Sequence, residues 1–245
     1  SLKNETGAHF AANFLKQNLC TINPELSLKE SFISINSQLL NTSLKLEGAT
    51  LSDTHTLPAS SGVIVKIDAN DKSVEIGNVS DSFAIVYFTN GKSEVATEDR
   101  NKAFDDGMFD LMVDLAKKEG VTNRKVREMQ IFKDALVDMF TRRNNNPDGT
   151  GNGEINGEEN MSMYVFTKKY YLNGIKAILI ASDGIIPQGW RITDEKVRDD
   201  IYTIISNQGF EHLYSIKHKS EDDDPDWNSP RYKHSDDATG VLISI

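Results

Sequence analysis

Two apolar runs, each with an aspartate at one end, constrain this chain more than any other feature. The first is Ile178-Leu179-Ile180-Ala181-Ser182-Asp183-Gly184, where the aspartate follows a strand-like stretch. The second is Ser235-Asp236-Asp237-Ala238-Thr239-Gly240-Val241-Leu242, where it precedes one. If the two strands are neighbours, both carboxylates come to the same rim of a sheet. Hard divalent cations such as magnesium and manganese take oxygen ligands of that kind. Either aspartate alone could simply end a strand and open a turn. It is the pair, in this order, that points to Asp183 and Asp236 as metal ligands.

The rest of the chain alternates helical and strand periodicities. Thr6 caps a helix with Ala8, Ala11, Ala12, Leu15 and Leu19 on its apolar face. Ser27-Leu28-Lys29-Glu30 forms a capping box before the stripe Leu28, Phe32, Ile35 and Leu39. Short strands follow. Val63, Val65 and Ile67 alternate, Ala69-Asn70-Asp71-Lys72 turns, and Val74 and Ile76 alternate again. Phe83 to Phe88 is apolar on both faces, and Asn90-Gly91 turns into a strand over 93–97. Two helices are expected next, one with Met108, Leu111, Met112 and Leu115 ending at Gly120. The other runs from a Thr122 cap through Val126, Met129, Phe132, Leu136 and Phe140. After a polar loop come strands over 164–171 and 177–181, a helix with Val197, Ile201, Ile204 and Ile205, and the acidic stretch Glu221–Asp224, read as a solvated loop. A meander flanked by helices predicts an α+β fold, not a parallel βαβ sheet.

Composition removes several partner classes. A net charge of −10 over 245 residues argues against a nucleic-acid backbone or an anionic membrane surface as partner. The single cysteine, Cys20, excludes an internal disulfide framework and is read as a buried filler in a reducing, cytoplasmic compartment. No apolar run reaches the roughly 18 residues of a membrane span.

The aspartate segments resemble the last two motifs of the metal-dependent protein phosphatases of the protein phosphatase 2C type, in a bacterial-like branch. Ser182, Asp183 and Gly184 match a strand ending in Ser-Asp-Gly; Asp236, Asp237, Ala238 and Thr239 match Asp-Asn/Asp-x-Thr. Further upstream, Gly77 to Val86 is similar to a Gly-Asp-Ser strand, with Ser80 where a glycine usually stands. Ala96-Thr97-Glu98-Asp99 is similar to Leu-Thr-x-Asp, and Gly7 to Phe14 to the helix after an Asp-Gly metal motif. That Asp-Gly motif is missing: residues 1–6 read Ser-Leu-Lys-Asn-Glu-Thr, so the bridging aspartate falls upstream of Ser1 or is lost. Pro187 stands where many members carry an aspartate.

The resemblance implies a four-layer αββα sandwich of two mainly antiparallel sheets flanked by helices, formed by residues 1–245 as a single domain lacking its N-terminal strands. It also implies hydrolysis of phosphoserine or phosphothreonine in a phosphoprotein, with no side-chain nucleophile. Two Mn2+ or Mg2+ ions about 3.5–4 Å apart would activate the attacking water. Asp183 and Asp236 would share one ion with the missing aspartate, supported by Gly184, Asp237, His234 and His9. Because the bridging aspartate is missing, a non-catalytic phosphatase-like regulatory module is a second reading. A third is a calcium protein: residues 148–159 carry Asp148, Asn152 and Glu159 at calcium-loop positions, although Thr150 replaces an acid and Pro147 precedes the loop.

Overall fold

The computed structural model describes residues 6–145 and 152–245. Strands β1 (Gly62–Asp68), β2 (Ser73–Val79) and β5 (Phe166–Tyr171) form a three-stranded sheet in the order β1-β2-β5. Strands β3 (Phe83–Phe88), β4 (Ser93–Val95), β6 (Ile175–Ala181) and β7 (Gly240–Ser244) form a second, in the order β4-β3-β6-β7. Every pairing is antiparallel. The chain passes from the first sheet to the second after Val79, where Ser80 holds φ +76°, and again near Gly174 at φ +90°. A left-handed conformation at Ser80 explains why a glycine suits that position.

The two faces of β3 show how the layers stack. Ala84 and Val86 pack with Val74 and Ile76 of β2, filling the space between the sheets. Phe83, Ile85 and Tyr87 point the other way, onto α6 (Glu195–Gln208) and α7 (Phe210–Asp222) through Ile201, Ile205 and Leu213. A strand covered on both faces needs the unbroken apolar run read from its sequence. The outer face of the first sheet takes α1 (Gly7–Asn18) and α2 (Leu28–Ser43), with Ala11, Phe32 and Leu39 buried there. The result is an αββα sandwich. Ser27 and Glu30 form the expected reciprocal cap, with Glu30 Oε2 2.8 Å from the Ser27 amide. The α2 stripe Leu28, Phe32, Ile35 and Leu39 is wholly buried.

Helices α3 (Lys102–Glu119), α4 (Asn123–Val126) and α5 (Gln130–Thr141) form their own apolar cluster beside the sandwich. Gly120 ends α3 in the left-handed conformation, as its position predicts. The expected single helix after Thr122 is instead broken, with Met129 extended at ψ 141°. Val126 and Phe132 explain the break. Six positions apart, they would lie about 120° apart around one helix of 3.6 residues per turn. The break lets both bury completely in the same cluster.

Three further expectations are corrected. In α1 only Ala11 is buried; Ala8, Ala12 and Leu19 open onto a cleft. Cys20 is exposed, because it sits on a 3-10 turn that leaves the packed face of α1. The acidic stretch is not a solvated loop. It ends α7, with Glu221 buried against Lys217 and Asp224 holding Arg231 at 2.9 Å. No helix among the described residues is long and apolar enough to cross a membrane.

Candidate metal centre

Antiparallel pairing brings Asp183 and Asp236 to one rim. Ala181 at the end of β6 lies opposite Gly240 at the start of β7, so the residues just outside each strand meet. Three hydrogen bonds clamp them: Ser182 N to the Thr239 carbonyl at 3.0 Å, Thr239 N to Ser182 Oγ at 3.1 Å, and Ser182 Oγ to the Asp237 carbonyl at 3.3 Å. Gly184 sits hard against this clamp. A Cβ there would lie 2.1 Å from the Asp237 carbonyl oxygen. This is a close backbone approach that only glycine allows.

The pairing also delivers a third carboxylate, which the sequence reading did not single out as a ligand. Phe83 of β3 lies opposite Ala181, so Asp81 arrives beside the end of β6. Its signal was present, since Asp81 precedes the apolar strand β3 much as Asp236 precedes β7. Crowding by protein atoms and the charges of Asp81 and Asp236 push Asp183 up to about 7. Because its residue stays open to the cleft, water screens part of that rise. Burial, with help from Asp81, lifts Asp105 of α3 to about 7, although the Tyr232 hydroxyl donates to its carboxylate at 2.9 Å. Glu154 is pushed up to about 7 by burial and by Asp81 and Asp105, against the pull of Arg143 at 3.2 Å. A set of mutually repelling carboxylates favours either protons or a bound cation.

These groups line one cleft of about 900 Å3 between α1, the rim and the α3–α5 helices. The supporting residues divide. His9 lies on the cleft with Nε2 3.5 Å from Asp237 Oδ2. His234 turns away, with Nε2 3.2 Å from Asp222 Oδ1. Lys233 places Nζ 2.6 Å from Asp236 Oδ1. Hard oxygen donors are thus present in the right chemical class. Among the described residues, however, no group of at least three His, Cys, Asp or Glu side chains is drawn together closely enough to hold an ion. Of the calcium-loop positions, Asp148 lies outside the described residues, Asn152 is buried, and Glu159 is exposed at the start of a 3-10 turn over Glu159–Met163.

No family model matches the sequence, and neither does any curated protein sequence. Solved structures do resemble the fold. A bacterial serine phosphatase superposes with a TM-score of 0.51 at 17% identity, covering 97% of this chain and 80% of that one. The serine/threonine phosphatase Stp1 from Staphylococcus aureus gives 0.51 at 16% identity, covering 96% and 76%. Serine-threonine phosphatase 2C from Toxoplasma gondii gives 0.53 at 11% identity, covering 99% and 82%. At such identities the likeness concerns backbone architecture: this chain has the α+β sandwich fold of those serine/threonine phosphatases.

Proposed function

We propose that this chain is a metal-dependent phosphomonoester hydrolase acting on phosphoserine or phosphothreonine in proteins. The observation that supports this reading is that Asp81, Asp183 and Asp236 flank the ends of three neighbouring strands and line one open cleft. Asp183 and Asp236, with Asp81 beside them, would hold a Mn2+ or Mg2+ ion. When bound, such an ion supplies Lewis acidity and makes water a nucleophile at neutral pH. The Ser182–Thr239 clamp and Gly184 keep the two flanking segments in register, so the carboxylates stay aligned. His9, oriented by Asp237, would deliver a proton to the departing serine or threonine oxygen. No serine or cysteine of the described site is placed as a nucleophile, so the reading needs no covalent intermediate.

Two observations favour a second reading. Lys233 already neutralises Asp236, and the rim lacks a closed ligand set. A phosphatase-like module that binds partners without catalysis would tolerate both features. Manganese titration by calorimetry, paired with turnover of p-nitrophenyl phosphate and a phosphothreonine peptide, separates the two. Binding and turnover that both vanish in Asp183→Asn support the hydrolase. Binding without turnover supports the non-catalytic module, and binding that persists in Asp183→Asn refutes the placement of the site.

A further inference from the structure

Lys217 and Glu221 form an ion pair that the proposed chemistry does not use. Lys217 Nζ lies 3.0 Å from Glu221 Oε1, with the side chains 2% and 3% exposed. Nζ also donates to Ser235 Oγ at 2.8 Å and to the main-chain carbonyl of Asp236 at 3.0 Å. An ammonium group has three protons to give. Here two of them go to the segment that carries Asp236.

A buried ion pair is a poor device for stability, because apolar side chains of similar volume often serve as well or better. Its placement has a geometric consequence instead. β7 begins only at Gly240, so residues 235–239 precede the hydrogen-bonded ladder. The Ser182 clamp holds the end of that segment at Asp237 and Thr239. Lys217 holds its beginning. Leu213, one turn earlier on α7, is fully buried in the core against the second sheet, so the lysine projects from a rigid base.

We propose that Lys217, seated by Glu221, is the positioning residue for Asp236: by fixing the Ser235–Asp236 backbone it aims the Asp236 carboxylate at the rim beside Asp183. The consequence for metal binding rests on the function proposed above; the tether itself does not.

The test uses the double variant Lys217→Met/Glu221→Met, which removes the pair without changing net charge, and the milder Ser235→Ala, which removes one acceptor of Nζ and cannot plausibly unfold the chain. Hydrogen exchange read by mass spectrometry on metal-free protein is expected to speed up at least tenfold over residues 235–239 in the double variant, with β6 unchanged. In Ser235→Ala the increase is about fivefold, the equivalent of one hydrogen bond. Manganese affinity is expected to fall about 10- to 100-fold in the double variant, the usual loss when a group orienting a metal ligand is removed. Unchanged exchange over 235–239 in either folded variant overturns the proposal. So does a loss of protection that spreads equally over β6, since that is a general loss of structure. If exchange rises as expected but the unmodified chain binds no manganese, the tether stands and the metal-site reading falls.

Discussion

Replacing Gly184 with alanine probes the rim where its packing is tightest. The added Cβ would lie 2.1 Å from the Asp237 carbonyl oxygen, 2.9 Å from its carbon and 3.2 Å from Asp236 Cβ. A carbon–oxygen contact needs about 3.3 Å, so the two backbones must part by about 1.2 Å. That displacement breaks the three Ser182 hydrogen bonds to Thr239 and Asp237. At about 1 kcal/mol each, with water replacing part of the loss, the cost is about 2–3 kcal/mol. This agrees with the range of about 1–3 kcal/mol for overpacking. Gly174→Ala is the control. It also adds one methyl beside β6, but in open space at φ +90°, so it meets only left-handed strain of about 1–2 kcal/mol. Urea denaturation of both variants measures the difference. Gly184→Ala should unfold at the lower midpoint with an unchanged slope, and should lose manganese binding that Gly174→Ala retains. A Gly184→Ala variant within about 0.5 kcal/mol of the parent, the range of ordinary surface changes, would refute the close approach and with it the clamp.

Other expectations follow from the same rim and its surroundings. Glu154 goes from 4.5 in the unfolded chain to about 7 when folded, so the folded protein holds the extra proton in that window. Stability therefore falls as pH rises from about 4.5 to 7, and Glu154→Gln should flatten this decline by on the order of 2–3 kcal/mol in urea titrations at pH 5 and 8; an unaltered pH slope would show that Glu154 is not the group responsible. Asp81→Asn removes the charge that Asp183, Asp105 and Glu154 share as a neighbour. It should raise the melting temperature of metal-free protein at pH 8 while weakening manganese binding, and a fall in both would contradict the repulsion argument. Phe132→Ala empties a fully buried site in the α3–α5 cluster and should cost about 3–5 kcal/mol in one cooperative transition. Two separate transitions in calorimetry would show instead that those helices melt apart from the sandwich. Calcium added alone is expected to leave the melting temperature unchanged; a rise that disappears in Asp148→Asn would support a calcium site in the 148–159 loop.

Much of the framework is legible from local pattern. The capping box at Ser27, the glycine stop at Gly120 and the two-faced run of β3 each carry their cause within a few residues, and each appears where expected. Departures arose where distant packing prevailed. The helix after Thr122 breaks because Val126 and Phe132 bury in one cluster, which no window of the sequence shows. Glu221 sits in an acidic run that reads as solvated. It is buried because Lys217, one turn earlier, needs a counter-charge while holding residues 235 and 236.

The candidate site divides in the same way. The sequence by itself determined that Asp183 and Asp236 stand at strand ends, because strand periodicity and the flanking turn residues are local. Only the tertiary structure decided that Asp81 joins them and that His9 comes to Asp237 while His234 leaves for Asp222. The meeting of Asp81 with Asp183 and Asp236 depends on the strand order β4-β3-β6-β7. That order comes from long-range packing of two sheets between helices, and pairings separated by a hundred residues leave no periodicity to read.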